Sequence, residues 1–292
     1  MTTWTDLPCV LNGQETTLGC AQVSVMDRGF LFGDGVYDVV PVYARRPFRL
    51  EAHLARLARS LAAARLNDPL GRAGWAALLH GLVARLPDHA DQCLYVQVTR
   101  GVAMRQHAMP IDVPPTVFAY AMPFPTVPSE VRHRGVSCVT ARDFRWERGD
   151  IKSISMLGNV LARQMSVDQG AYETIMVREG YLTEASSSNV WIVQDGALIG
   201  PPASHHLLEG VRVELLAELC EELHLGFNRR PIPERELATA DEVLLSSATK
   251  EVLAVTTLDG EPVGHGALRG KPGPVYARLY EAYQQHKRQP LL

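Results

Sequence analysis

Apolar and polar residues alternate along the first fifty residues, and this pattern predicts β-strands. The alternation runs through residues 9–18 and again through residues 36–50. Asn-Gly at residues 12–13 interrupts the first stretch, and Arg-Arg-Pro at residues 45–47 interrupts the second. Because such residues favour tight turns, the pattern predicts strands that pair through short connections.

Beyond residue 50 the apolar residues recur at helical spacing. Leu54, Leu57 and Leu61 lie three and four residues apart and predict a helix over residues 51–66. The other predicted elements of this region are a helix over residues 74–85 and strands over residues 93–100 and 115–122. Residues 1–121 are therefore predicted to form a small N-terminal domain of helices and strands.

A proline-rich stretch separates this region from the rest of the chain. Residues 122–128 include Pro123, Pro125 and Pro128 and are predicted to form a stiff linker before a larger domain, residues 129–292. The predicted strands of that domain cover residues 136–144, 173–177, 189–193, 197–200 and 242–247, and residues 254–263 are predicted to form a short hairpin. The predicted helices of the domain follow Lys152 and cover residues 211–223 and 275–287. There is no repeated βα unit and no glycine-rich nucleotide-binding motif. The predicted fold class is therefore α+β, or mixed α/β, with two domains.

Composition and charge narrow the classes of function. With 292 residues, 46% of them hydrophobic, the chain is long enough to bury a large core. Its formal net charge is −3 and no basic block stands out, which argues against nucleic acid or a membrane as partner and favours small-molecule ligands. The five cysteines lack CxxC spacing, and neither an export signal nor a membrane-spanning apolar run is visible. We expect reduced thiols, no metal site and a cytoplasmic location.

Lys152 is the only lysine among the first 249 residues, and it comes just before a predicted helix. A lysine amine, unlike an arginine guanidinium, loses its proton near neutral pH when it is desolvated, and it then attacks a carbonyl to form a Schiff base. That reaction is the entry to pyridoxal phosphate chemistry. Taken alone, however, a lysine at such a position is more often an ordinary solvated side chain.

Five motifs occur in one order along the chain. They are DRGFLFGDGVYDVV, QVTRGVAMRQH, DIKSISMLGNVLARQ, YETIMVREGYLTEASSSNVW and HHLLEGVRVE. In order and spacing they resemble the fold type IV pyridoxal-phosphate aminotransferases, most closely the D-amino-acid aminotransferases. The resemblance implies a homodimer of two-domain subunits with pyridoxal 5′-phosphate in the interdomain cleft. It also implies ping-pong transfer of an amino group from a D-amino acid such as D-alanine to a 2-oxo acid such as 2-oxoglutarate.

The same resemblance implies roles for residues at the cofactor. Lys152 matches the lysine that forms the Schiff base and moves the proton between substrate and cofactor. Glu184 matches the carboxylate that pairs with the pyridine nitrogen. The phosphate is expected at Arg56 and at the helix N-terminus formed by Val211 and Arg212, where a guanidinium and backbone amides suit a dianion.

One phosphate contact of the family differs in this chain. The family has a threonine at the position that Ala248 occupies here. Ser247 or Thr249 is therefore expected to supply the hydroxyl.

Substrate binding is implied for Arg105 and His107, which match the pair that binds the α-carboxylate, with Tyr37 completing the site. Alternate residues of an extended segment point the same way, so two donors can converge on one carboxylate. In the family this loop serves the site of the neighbouring subunit, which implies a shared site.

Several alternatives stay open. Branched-chain L-amino-acid aminotransferases have the same fold but usually carry a tyrosine at the position of Leu157, and aminodeoxychorismate lyases share the DRG and GDG elements without the Arg-x-His pair. An amine aminotransferase is a further relative. A ligand-binding protein without activity is disfavoured because lysine, glutamate and phosphate elements occur together, and a Schiff-base aldolase is disfavoured because no βα repeat is present.

Overall fold

The computed structural model describes residues 3–288, so the first two and last four residues of the predicted domains lie outside it. The chain divides into two compact units. Of the described residues, unit 1 comprises residues 3–125 and Ile151–Met156. Unit 2 comprises Thr126–Asp150 and residues 157–288. The division departs from chain order at Ile151–Met156, the segment that carries Lys152, because this segment packs with unit 1.

Unit 1 is built on an antiparallel sheet. Its elements are β1 (Pro8–Leu11), β2 (Gln14–Thr17), α1 (Arg28–Phe32), β3 (Gly35–Tyr43), β4 (Arg46–Pro47), α2 (Leu50–Ala63), α3 (Gly71–Ala84), β5 (Gln92–Thr99) and β6 (Thr116–Pro123). The strand order is β2-β1-β6-β5-β3-β4, with antiparallel neighbours throughout. Asn12 and Gly13 connect β1 to β2 with φ values of 49° and 79°, the left-handed backbone that a two-residue hairpin turn requires.

Helix α2 covers one face of this sheet, as the leucine spacing predicts. Leu54, Leu57 and Leu61 are buried in one apolar cluster with Val40 and Val42 of β3. The helix ends at Ala63 rather than continuing to residue 66, because Arg65 adopts the left-handed conformation with φ 55°.

Unit 2 is built on a mixed sheet. Its elements are α4 (Ser129–Arg134), β7 (Val136–Arg142), α5 (Leu157–Asp168), β8 (Glu173–Arg178), β9 (Tyr181–Ala185), β10 (Asn189–Gln194), β11 (Ala197–Gly200), α6 (Arg212–Glu222), β12 (Phe227–Arg229), α7 (Glu234–Thr239), β13 (Glu242–Ser247), β14 (Glu251–Leu258), β15 (Glu261–Pro262) and α8 (Pro274–His286). The strand order is β12-β11-β10-β13-β14-β7-β8-β9, and β15 pairs with β14. Neighbours are parallel at β11–β12, β14–β7 and β7–β8 and antiparallel elsewhere.

Unit 2 has its own apolar core, which includes the buried sheet residues Ile175, Val190, Ile192 and Leu245. An antiparallel sheet in one unit and a mixed sheet in the other, each with packed helices, agree with the predicted mixed α/β class. Within residues 3–288, no helix is long and apolar enough to cross a membrane.

Candidate active site

Lys152 lies on an extended segment that runs beside β3 in unit 1. The carbonyl of Lys152 accepts a hydrogen bond from the Tyr37 amide at 2.9 Å, and the Ile154 amide donates to the Gly35 carbonyl at 3.1 Å. The Lys152 amide donates to the Ser60 hydroxyl at 3.2 Å. These bonds hold the backbone on both sides of the side chain. The helix expected just after Lys152 begins only at Leu157, so the lysine is on an extended segment and not at a helix N-terminus.

The amine of Lys152 faces an aromatic ring. Its Nζ lies 4.2 Å from the centroid of the Tyr37 ring, and Tyr37 itself stacks on Tyr95 with a centroid distance of 5.7 Å. The two residues that the resemblance implies for covalent cofactor binding and for the substrate site are therefore in contact within unit 1.

Arg56 belongs to a buried ion network in which Asp38 of β3 is the centre. Arg56 donates from Nε and Nη2 to the two Asp38 oxygens at 2.9 and 2.8 Å, and Nδ1 of His53 lies 2.7 Å from Oδ1. Burial by itself raises the pKa of Asp38, but Arg56 and His53 outweigh it and hold that pKa far below its usual range. Among the described residues, Nη1 of Arg56 has no hydrogen-bond acceptor, which leaves one donor group for an anion.

Arg105 and His107 are both exposed and both lie against the ring of Phe32 at the end of α1. The Arg105 guanidinium carbon is 5.2 Å from the ring centroid and the His107 ring is 5.7 Å from it. Arg28 of α1 holds the loop by donating to the Gln106 carbonyl at 2.6 Å. The structure thus brings the predicted pair together, while no hydrogen bond or ring contact of the described chain joins either residue to Tyr37.

Glu184 of β9 is the centre of the polar cluster in unit 2. Its side chain is buried, with one oxygen bound by Nη1 of Arg145 and the other accepting from the Leu208 amide at 3.2 Å. A carboxylate oxygen can accept more than one hydrogen bond. An exposed turn glutamate would have neither contact.

A second carboxylate, that of Asp143, also binds Arg145. Asp143 accepts from Nε and Nη2 of Arg145 at 3.0 and 2.9 Å, and from the Thr183 hydroxyl at 2.9 Å. Burial acts to raise the pKa of Asp143, but the bonds to Arg145 lower it below its usual range. The same pairing raises the pKa of Arg145 although burial opposes this. Arg145 therefore stays charged beside Glu184.

The predicted phosphate helix is α6, whose first residue is Arg212, with Val211 as its N-cap. The Arg212 side chain is buried, with its guanidinium carbon 5.7 Å from the Tyr283 ring, so only its backbone amide belongs to the helix start. Gly210 precedes the helix, and a Cβ there would lie 2.0 Å from Oδ1 of Asn189. Glycine is therefore required for the close approach of this loop to β10.

Ser247 is the last residue of β13 and Thr249 lies in the turn between β13 and β14, on either side of Ala248. The Ser247 hydroxyl accepts from the Lys250 amide at 3.0 Å, which closes the turn. Its proton remains available to a ligand because the hydroxyl acts here as an acceptor.

Comparison with known proteins assigns the family. The family described as Amino-transferase class IV matches residues 35–258. The chain belongs to the class IV aminotransferases. D-alanine aminotransferases of Bacillus licheniformis and Staphylococcus aureus (strain COL) are 37% and 35% identical to it over 94% of this chain, and over 95% and 96% of their own lengths.

Solved structures have the same fold. A branched-chain amino acid aminotransferase from Escherichia coli gives a TM-score of 0.85 at 22% identity, covering 96% of this chain and 93% of that one. A PLP-bound hypothetical aminotransferase from Mycobacterium tuberculosis gives 0.81 at 25% identity, covering 94% and 98%. The expected fold class, the resemblance and the aminotransferase class of enzyme are confirmed. So is the cofactor, since class IV aminotransferases use pyridoxal 5′-phosphate.

Each unit holds groups whose chemistry fits part of this cofactor. Unit 1 has an amine against an aromatic ring, which suits an aldehyde, and the remaining donor of Arg56, which suits a phosphate. Unit 2 has a buried carboxylate, which suits a ring N–H, and the amides at the start of α6 and the hydroxyls of Ser247 and Thr249, which suit a phosphate.

The supporting residues were missed by sequence reasoning. Asp38, His53, Asp143 and Arg145 were not predicted, although each touches a predicted site residue or its partner. One signal was available: Asp38 sits inside the apolar run of β3, where a charge requires a buried partner.

Proposed function

We propose that this aminotransferase acts on D-amino acids of the D-alanine type, with a 2-oxo acid of the 2-oxoglutarate type as acceptor, in two ping-pong half-reactions. The names and identities of the relatives support this substrate class. The observation that carries the proposal is the Arg105–His107 pair on the Phe32 ring, which presents two donors suited to an α-carboxylate.

Lys152 is the amine that binds the cofactor covalently and then carries the substrate α-proton on Nζ. When bound, the cofactor withdraws electrons from the substrate α-carbon. The Tyr37 ring lies 4.2 Å from Nζ and so borders the amine on one side. Lys250 is unsuited to this role because its Nζ is paired with Glu173 at 2.5 Å.

Glu184 accepts the N–H of the cofactor ring, and its buried ion pair with Arg145 favours the charged carboxylate that this bond needs. Nη1 of Arg56, the amides of Val211 and Arg212, and the hydroxyls of Ser247 and Thr249 bind the phosphate.

The enzyme acts as a homodimer. In unit 1 a β-bridge between Asp27 and Val102 brings two segments of the chain together, and Val25 and Val102 on these segments are exposed. Met104 and Ile111, which follow Val102 in sequence, are 81% and 86% exposed. In unit 2, α5 exposes Leu157, Val160 and Leu161 on one face. Exposed apolar groups of this kind are typical of protein interfaces.

The dimer is proposed to share its sites through the loop of Arg105 and His107. Arg105→Ala should lower kcat/KM for D-alanine by about two powers of ten or more while cofactor content is retained, because a charge-assisted contact is lost. Mixing Arg105→Ala subunits with Lys152→Ala subunits should restore activity in heterodimers, since one site then has both residues. Demonstrated subunit exchange without recovery would show that the loop serves its own chain.

A reducing, cytoplasmic location is part of this proposal. All five cysteines are free thiols, and four of them are buried. Such thiols persist where disulfides do not form.

The deciding experiment is a substrate profile. The purified protein is supplied with 2-oxoglutarate and either D-alanine, L-alanine, L-leucine or a simple amine, and pyruvate and glutamate are measured. D-alanine should give pyruvate and D-glutamate at the highest rate, and borohydride should fix the cofactor on a peptide containing Lys152. Preference for L-leucine or an amine, or pyruvate release from aminodeoxychorismate, would identify one of the related activities instead.

A further inference from the structure

A second lysine of unit 2 occupies an unusual polar cluster. The Lys250 cluster consists of Lys250, Glu173, Ser186, Ser187 and Ser188. Nζ of Lys250 donates to Oε2 of Glu173 at 2.5 Å, to the Ser187 hydroxyl at 2.7 Å and to the Ser188 hydroxyl at 2.6 Å. A lysine has three N–H donors, so all three are in use.

Glu173 is the acceptor at the bottom of this cluster. Its side chain is fully buried, while that of Lys250 is 14% exposed. The hydroxyls of Ser186 and Ser187 also donate to Glu173, the latter at 2.7 Å. Burial acts to raise the pKa of Glu173, but Lys250 and the serine hydroxyls lower it below its usual range. The pair is therefore an ionised, hydrogen-bonded pair, and removal of one partner alone would leave a buried charge.

The Lys250 cluster connects three parts of the chain that are far apart in sequence. Glu173 begins β8, the serines form the turn between β9 and β10, and Lys250 ends the turn between β13 and β14. That last turn contains Thr249 and directly follows Ser247, the last residue of β13. Its backbone is closed by the Lys250 amide on the Ser247 hydroxyl, and the carbonyl of Lys250 accepts from Nη1 of Arg132 at 3.2 Å.

We propose that Lys250 is a positioning residue for the cofactor phosphate: its ammonium ties the β13–β14 turn to Glu173 and so orients the hydroxyls of Ser247 and Thr249. This inference rests on the proposed phosphate contacts of these two residues. Lys250 acts through the turn and not on the phosphate itself, because its three donors are directed to Glu173 and the serines. The ammonium thus supports the turn at which Ala248 replaces the threonine of the family.

The test compares two ligands that differ only in the phosphate. Apoenzyme of the full chain is titrated with pyridoxal 5′-phosphate and with pyridoxal, and binding is followed by absorbance. Lys250→Met should weaken pyridoxal 5′-phosphate about tenfold or more and leave pyridoxal nearly unchanged, because a displaced turn loses charge-assisted contacts to the phosphate alone. Lys271→Met is the control, since Lys271 is exposed and its Nζ contacts only the Ala267 carbonyl at 3.3 Å in the described chain.

A double variant separates positioning from folding. Lys250→Met/Glu173→Gln removes both charges, so no uncompensated carboxylate stays buried even if Lys250→Met alone fails to fold. The double variant should show the same selective loss for the phosphate-bearing ligand. Equal weakening of both ligands, or no weakening, would overturn the role of Lys250. Wild-type protein that bound neither ligand, or a borohydride label outside the Lys152 peptide, would instead contradict the proposed cofactor contacts themselves.

Discussion

Two buried ion networks, one in each unit, support proposed cofactor ligands in opposite ways. In unit 1 the ligand is the cation Arg56, and the carboxylate of Asp38 holds it in place. In unit 2 the ligand is the carboxylate Glu184, and Arg145 holds it. Each supporting residue has a second partner: His53 also contacts Asp38, and Asp143 also binds Arg145.

The two networks differ in which group is shared. Asp38 is one carboxylate between Arg56 and His53, whereas Arg145 is one guanidinium between Asp143 and Glu184. The Arg56 guanidinium in unit 1 suits an anionic phosphate, and the Glu184 carboxylate in unit 2 suits a ring N–H. The type of ligand that each network holds, a guanidinium in unit 1 and a carboxylate in unit 2, therefore distinguishes the two binding roles.

Removal of Arg145 should have the largest effect on stability. Arg145→Ala leaves the buried Glu184 without its cation and leaves Asp143 with only Arg178, so we expect a loss of about 3–5 kcal/mol in the free energy of unfolding, measured by urea denaturation. Arg148→Ala is the control, because Arg148 forms an exposed pair with Asp150 and should change stability little. An Arg145→Ala protein as stable as this control would mean that the network of unit 2 carries no net stabilisation.

Replacement of Asp38 should have an intermediate effect. Asp38→Asn keeps the shape but weakens the bonds to Arg56 and His53, so we expect a loss of about 2 kcal/mol at neutral pH. Because the pKa of folded Asp38 lies far below its unfolded value near ~3.9, its stabilisation is complete above that value and declines as pH falls further.

The pH dependence sharpens this prediction. Wild-type stability should fall more steeply than that of Asp38→Asn below about pH 4, because only the wild type has a carboxylate at this position that binds a proton in the unfolded state and not in the folded state. Parallel stability curves of the two proteins in urea titrations would exclude Asp38 as the source of the acid sensitivity.

Of the three substitutions, Glu184→Gln should have the smallest effect on stability, and it should slow turnover without loss of the cofactor. The amide oxygen still accepts from Arg145, so we expect a loss of about 1 kcal/mol or less in unfolding free energy and retained cofactor. The amide does not hold a charged ring N–H, so removal of the substrate α-proton should slow about 100-fold, measured by stopped-flow absorbance with D-alanine. Wild-type rates in this variant would remove Glu184 from the chemistry.

Local patterns accounted for much of the fold. The sequence predicted the Asn12–Gly13 turn, the buried leucine face of α2 and most of the strands. These features depend on turn chemistry and hydrophobic periodicity, which act over a few residues. The short strand β12 was not predicted, since it pairs with β11, which lies more than 25 residues away in sequence. Strand β9 was not predicted either, although it forms a hairpin with the adjacent β8.

The sequence by itself determined the family, through five motifs in one order, and with it the type of enzyme and the cofactor. Tertiary structure alone decided the supports of the proposed ligands: Arg145 for Glu184, Asp38 for Arg56, and β3 for the segment of Lys152. The physical reason is that these partners are separated by 39, 18 and more than 100 residues, and ion pairs and backbone bonds over such distances exist only once the sheets have formed. Local composition specifies which charges are present, and packing specifies how they pair.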